Sequence, residues 1–259
     1  MGARVTNVVT GIWGDAWERY GETFVKTFSK YWPQSVPLTV YTDRNDIRPE
    51  RAEIRMLSDI PGFAEWRERY RDDPFANGRE PRPQHAWKPK ELDKRQSWRH
   101  DAFKWMPQGV IPYHAMIALP DGEIFCWLDA DVVTHRKVPE GFVDALLGRC
   151  ECAYLGREPK HSEIGFWAAR ATPNGRRLAQ IMANCYLSDR WMTLPQNHSA
   201  YCFDVARRES EIVARNLTPG RTGHVWFDCA LGDYMDHEKG KRKGRGSPQA
   251  AAKGWRRHV

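Results

Sequence analysis

Apolar positions along the chain switch between two periods. RVTNVVTGI (4–12), PLTVYTD (37–43), AEIRML (52–57) and EIFCWL (123–128) are short apolar runs bounded by Gly, Pro or acidic residues, and they predict strands. Between them the spacing becomes helical. Trp17, Tyr20, Phe24, Thr27, Phe28 and Tyr31 recur at that spacing over 16–31, and Pro33 lies just beyond the end. The same period returns at 61–72 and at 94–106, the latter with Trp98, Ala102 and Trp105 on one face. Residues 73–91 are rich in Pro, Gly and charge and predict a surface loop. Further helices are predicted at 139–148, 174–187 and 199–209, and further strands at 152–156, 164–170 and 211–216. Strands alternating with helices across 1–150 predict an α/β fold, a mainly parallel central sheet flanked by helices. No internal repeat is visible.

Composition sharpens this picture in two places. An apolar fraction of 41% over 259 residues supports a core, so the chain is not globally disordered. The net charge of +7 belongs to one end. Eight of the forty basic residues lie in 239–259, which holds no acid, leaving 32 basic against 33 acidic side chains in 1–238. A body without net positive charge argues against a broad phosphate-binding surface, while the basic tail at 247–259 leaves nucleic acid open as a partner. Twelve tryptophans, core packing aside, could include some that stack a flat ring. The six cysteines fall into no metal-ligand spacing and are few for a disulfide scaffold, so reduced thiols are expected. No apolar run reaches membrane-spanning length and MGARVTNVVTGIWGD lacks a secretory h-region, so a cytoplasmic protein is expected.

The run Ile124–Leu128 ends abruptly in Asp129-Ala130-Asp131. Side chains at i and i+2 of an extended segment point to one side, so both carboxylates can converge just past the strand end. That is where open α/β sheets bind ligands. Two such charges repel unless a cation lies near them, and hard oxygen ligands favour Mg²⁺ or Mn²⁺. A D-x-D alone is more often a pair of turn aspartates. A second element tips the balance: DHEKGKRKG (236–244) places His237, Gly240 and Lys243 in an H-x-x-G-x-x-K pattern. These residue types can supply a metal ligand, a close backbone approach and a phosphate-neutralising charge.

Together, WLDAD, HEKGKRK and the N-terminal strand-loop-helix resemble the GT-A nucleotide-sugar glycosyltransferases, in particular the family-8-like branch of glycogenin and galactosyltransferase relatives. The resemblance implies a single GT-A, Rossmann-like domain over 1–246 with the D-x-D at a strand end. It implies Mn²⁺ (or Mg²⁺) held by Asp129, Asp131 and His237, and a nucleoside-diphosphate sugar whose diphosphate meets Gly240 and Lys243. Thr10, Gly11 and Ile12 follow as candidates for the nucleotide base and ribose. WRHDAFKW (98–105) makes Arg99 and Asp101 candidates for the donor, and HSEIGFWAAR (161–170) singles out Glu163 and Gly165 near donor sugar and acceptor.

The chain also departs from that family. Ser162-Glu163-Ile164-Gly165 stands where an Asn or Asp usually precedes the glycine, and the late acidic segment near the reacting carbon has no clean equivalent. LPQNHSAYCFD (194–204) lies in the right order and offers Gln196, Asn197, His198 and Asp204. Asp204, Asp228 and Glu163 are the candidate bases for an inverting reaction, and retention needs none. Sugar, nucleotide and acceptor are not readable; a glycan, polymer or protein acceptor is expected ahead of a DNA base. Two other readings compete. Asp129-Ala130-Asp131-Val132-Val133 also fits the D-x-D-x-[TV] of haloacid-dehalogenase phosphatases, with Asp129 as nucleophile. The tail could instead make the protein a nucleic-acid binder.

Overall fold

The computed structural model describes residues 5–221 and 224–238. In chain order its main elements are β1 (Thr6–Ile12), α1 (Glu22–Tyr31), β2 (Leu38–Thr42), β3 (Glu53–Met56), α2 (Phe63–Arg69), α3 (Pro89–Asp93), α4 (Ala102–Ile117), β4 (Ile124–Leu128) and β5 (Val132–Thr134). There follow α5 (Phe142–Leu147), β6 (Cys152–Arg157), β7 (Lys160–Arg170), α6 (Pro173–Leu187), α7 (Ser199–Glu209), β8 (Ala214–Asn216) and β9 (Met235–His237). They form two compact units. Of the described residues, those within 1–56, 119–172 and 213–259 make the first; Leu57–Ala118 and Pro173–Ile212 make the second.

The first unit is built on a seven-stranded sheet in the order β3-β2-β1-β4-β7-β6-β8. Pairings are parallel from β3 through β4 and between β6 and β8; β7 runs antiparallel to both its neighbours. This is the mainly parallel α/β sheet that the strand-helix alternation predicted. Alternate residues of the central strands, Val8, Ile12, Leu38, Val40, Ile124, Cys126 and Leu128, join Phe24 and Phe28 of α1 and Val143 and Leu146 of α5 in one buried core. Burial pushes the Cys126 thiol well up, so it stays neutral there. None of the six cysteines, all among the described residues, is in a disulfide.

Two short strands went unread in the sequence. β5 and β9 pair antiparallel in a separate two-stranded sheet, with Val132 opposite His237. Three residues carry too little pattern to announce a strand. β5 is fixed instead by α1 and its C-cap: Trp32 Nε1 donates to Thr134 Oγ1 (3.1 Å), and the Thr134 N–H donates to Thr27 Oγ1 (3.3 Å).

The second unit is helical, with an aromatic core. Trp66 packs on Tyr70, Phe103, Tyr186 and Trp191 and donates its indole N–H to the Tyr186 carbonyl (3.0 Å). The helix expected at 94–106 begins later, at Ala102, and runs to Ile117 through Pro107 and Pro112. A proline at 107 cannot donate to the carbonyl four residues back. That carbonyl, of Phe103, accepts from Arg67 Nη1 instead (2.7 Å), which lets the helix continue. No helix among the described residues is long and apolar enough to cross a membrane.

Candidate metal centre

The site in the first unit begins where β4 stops. The Asp129 N–H still donates to the Gly165 carbonyl of β7 (2.9 Å), and the Asp129 carbonyl then accepts from the Val132 N–H (3.0 Å), closing a tight turn into β5. Trp127, two residues before Asp129, shares its side of the chain and donates its indole N–H to Asp129 Oδ1 (2.8 Å). That bond aims the second oxygen, Oδ2, elsewhere. It faces His237 Nε2 at 3.5 Å, and Asp131 Oδ1 lies 2.8 Å from the same nitrogen.

His237 arrives through the β5–β9 pairing, and the Glu238 N–H donates to the Asp131 carbonyl (3.0 Å). Its ring is 1% exposed. Trp226 meets it edge-on at 5.4 Å, and His224 Nε2 lies 3.2 Å from its carbonyl. A Cβ on Gly165 would stand 2.4 Å from ring atoms Cε1 and Nδ1, so only glycine lets the imidazole lie there. The unused ring nitrogen, Nδ1, faces Glu163 Oε1 at 3.5 Å.

Among the described residues, Asp129, Asp131 and His237 are the group that could hold a metal ion, one donor atom from each lying within 4.8 Å of the others. Their chemistry fits. Two carboxylates supply charge that one imidazole does not balance, and carboxylate oxygens suit hard divalent ions. Tyr20 senses the same charge. Its phenol is pushed up to about 12, first by burial and then by Asp131 and, less, Asp129. Tyr20, Trp127, Trp226 and Arg157 were not singled out as site residues from the sequence; a tryptophan two residues before the D-x-D was the one readable signal.

The remaining candidates are distributed as follows. Thr10, Gly11 and Ile12 end β1, beside β4 in the sheet. The Ile12 side chain belongs to the core, and Thr10 Oγ1 is buried with no hydrogen-bond partner among the described residues. Gly240 and Lys243, like the tail, lie outside the described residues. Asp228 sits in a short 3-10 turn of the first unit.

Arg99, Asp101 and Asp204 belong to the second unit. Arg99 Nε and Nη2 are engaged by the Glu91 carboxylate and Nη2 also by the Ala86 carbonyl. Hydrogen bonding from Arg99 brings Glu91 down to about 2. Asp101 caps α4, accepting from the Lys104 N–H (2.9 Å), and burial raises it to about 6. Asp204 lies on α7, 3.9 Å from Arg207 Nη2. The structure also brings together two segments the sequence singled out separately: the Asn197 N–H donates to the Arg99 carbonyl (2.7 Å), and Trp98 packs on His198 at 5.1 Å.

No protein-family model matches the chain, and no curated protein matches it in sequence. Among solved structures it is similar to mouse xyloside xylosyltransferase 1 in its apo form. The likeness has a TM-score of 0.42 and 7% identity, over 82% of this chain and 85% of that one. At that level it has no bearing on chemistry, which rests on the side chains.

Proposed function

We propose that the chain is a metal-dependent glycosyltransferase that moves a sugar from a nucleoside-diphosphate sugar to an acceptor. The observation that supports this is the convergence of Asp129, Asp131 and His237 at the end of β4 in a mainly parallel sheet. The family-8 likeness of the motifs is the finer part of the same reading. Residues 1–246 would form the catalytic domain and 247–259 a basic tail.

Asp129, Asp131 and His237 would hold Mn²⁺ or Mg²⁺, which when bound would act as a Lewis acid on the donor diphosphate. Lys243, beside the Gly240 backbone, would neutralise charge that builds on the departing diphosphate. Thr10, Gly11 and Ile12 would present backbone and hydroxyl to the nucleoside. Arg99 would contact the donor by the motif likeness alone; within the second unit its Nε and Nη2 are engaged by Glu91 and Ala86. Asp204 or Asp228 would accept the acceptor's proton if the anomeric centre inverts.

The phosphatase alternative needs an Asp129 oxygen open for attack. Oδ1 accepts from Trp127 and Oδ2 faces His237, an arrangement that suits a ligand better than a nucleophile. Incubation with a panel of nucleotide sugars and Mn²⁺, read as nucleoside-diphosphate release, tests the proposal. Release that requires both the metal and Asp131 supports it. Failure of every donor, or an aspartyl-phosphate trapped at Asp129, would overturn it.

A further inference from the structure

Glu163 occupies an unusual place for a carboxylate. It is 5% exposed, on a strand, and faces the same imidazole as two other carboxylates. Both its oxygens are committed. Oε2 lies 3.2 Å from Arg157 Nη1; Oε1 accepts from the Gly165 N–H (3.2 Å) and faces His237 Nδ1 at 3.5 Å. Arg157 is itself held by backbone: Nε donates to the His161 carbonyl (3.0 Å) and Nη2 to the Ser162 carbonyl (3.4 Å). A carboxylate so enclosed and fixed from both sides is poorly placed to take a proton from an incoming acceptor.

The imidazole beside it has a choice to make. With its proton on Nε2 it would donate into Asp131, 2.8 Å away, and its lone pair would point away from the two aspartates. With the proton on Nδ1, the Nε2 lone pair faces Asp129 and Asp131. Sterics do not decide between these forms, because Gly165 and Trp226 fix the ring plane and not the proton. Without a cation the nearer acceptor is Asp131, at Nε2; with a cation on Nε2, Glu163 Oε1 is the acceptor that faces a proton on Nδ1.

We infer that Glu163 is a positioning residue for His237: with a cation on Nε2 between Asp129 and Asp131, Glu163 accepts from the Nδ1–H and so holds the ring as a ligand. The inference rests on the metal reading above. Partners that orient a ligating histidine through its other nitrogen commonly change metal affinity about 10–100-fold when removed.

Nitrogen NMR of the full chain with labelled histidine, without and with Mg²⁺, reads the proton directly. His237→Gln assigns the signal. Mg²⁺ is expected to leave Nε2 bare and Nδ1 protonated in the unmodified protein and in Glu163→Gln, whose amide oxygen still accepts, at a lower concentration than in Glu163→Ala. A bare Nδ1 with Mg²⁺ bound, or the same Mg²⁺ dependence in Glu163→Ala, would overturn the inference. Calorimetry with Mn²⁺ alone forms the second arm. There Glu163→Ala should bind about 10–100-fold more weakly than the unmodified protein, with Glu163→Gln between them. Equal affinities would overturn the link to the metal. If the unmodified protein binds neither Mg²⁺ nor Mn²⁺, the metal reading fails and the inference falls with it.

Discussion

Two polar clusters, one in each unit, answer their charges in opposite ways. In the second unit, Arg99 meets Glu91, Glu91 also accepts from Ser97 Oγ, and Asp101 caps a helix. Each charge has a neighbour of the complementary kind, and the result is a braced turn. In the first unit, Asp129, Asp131 and Glu163 surround one imidazole, and the basic side chain in the set, Arg157, pairs with Glu163. Crowding like charges disfavours the folded state unless something cationic joins them. One cluster therefore looks built for stability and the other for a ligand, although both reached notice through the same residue types.

The sharpest break in that contrast comes from Asp131→Asn. Mn²⁺ affinity should fall by about two orders of magnitude or more, because a full charge beside an ion is worth several kcal/mol at short range. Calorimetry measures it, and unchanged affinity would make the first cluster as structural as the second.

A pair of glycines gives the next test. Gly165→Ala drives a Cβ into the His237 ring and should cost about 1–3 kcal/mol as well as weakening Mn²⁺ binding. Gly78 has φ +63°, and its Cβ would fall 2.4 Å from the Ser97 carbonyl. Gly78→Ala should therefore lower the denaturation midpoint, at a strain cost of about 1–3 kcal/mol, while Mn²⁺ affinity stays unchanged. A metal defect in Gly78→Ala would end the division of labour between the clusters.

pH separates two neighbours within the second cluster. Burial, then His85 and Arg99, lowers His100 to about 4, and burial raises Asp101 to about 6. Between those values the unfolded chain binds more protons at His100, so its contribution to stability rises with pH. At Asp101 the folded chain binds more, so its contribution falls over the same window. The two slopes oppose each other. Asp101→Asn should leave stability rising between about pH 4 and 6.5, and His100→Phe should leave it falling between about 4 and 6. Denaturant melts across that range check both, and the same sign in the two variants would refute the assignment.

The smallest effect is expected from Arg67→Met, which takes away the donor to the Phe103 carbonyl that Pro107 leaves without its helical partner. The contact is part-buried, so its loss should cost about 1 kcal/mol, and the Mn²⁺ titration should not change.

Much of the sheet was legible because its cause is local. Ile124–Leu128 is apolar on both faces and ends in two aspartates, so a buried strand that delivers carboxylates follows from consecutive residues. The start of α4 was misplaced for an equally local reason. Lys94 to Met106 has helical spacing, but the chain spends 98–100 in a 3-10 turn and Asp101 makes the cap.

What the sequence determined by itself was the alternation of strands and helices and the pair Asp129 and Asp131 at the end of β4, because hydrophobic period and an apolar run that stops in two carboxylates are both written in consecutive residues. His237 was identifiable by motif, but its place beside those aspartates depends on β9, three residues with no pattern of their own that exist as a strand by pairing with β5. Only the tertiary structure decided that Glu163, seventy-four residues earlier, faces the back of the same ring. Contacts between distant segments are set by packing, which no run of neighbouring residues encodes.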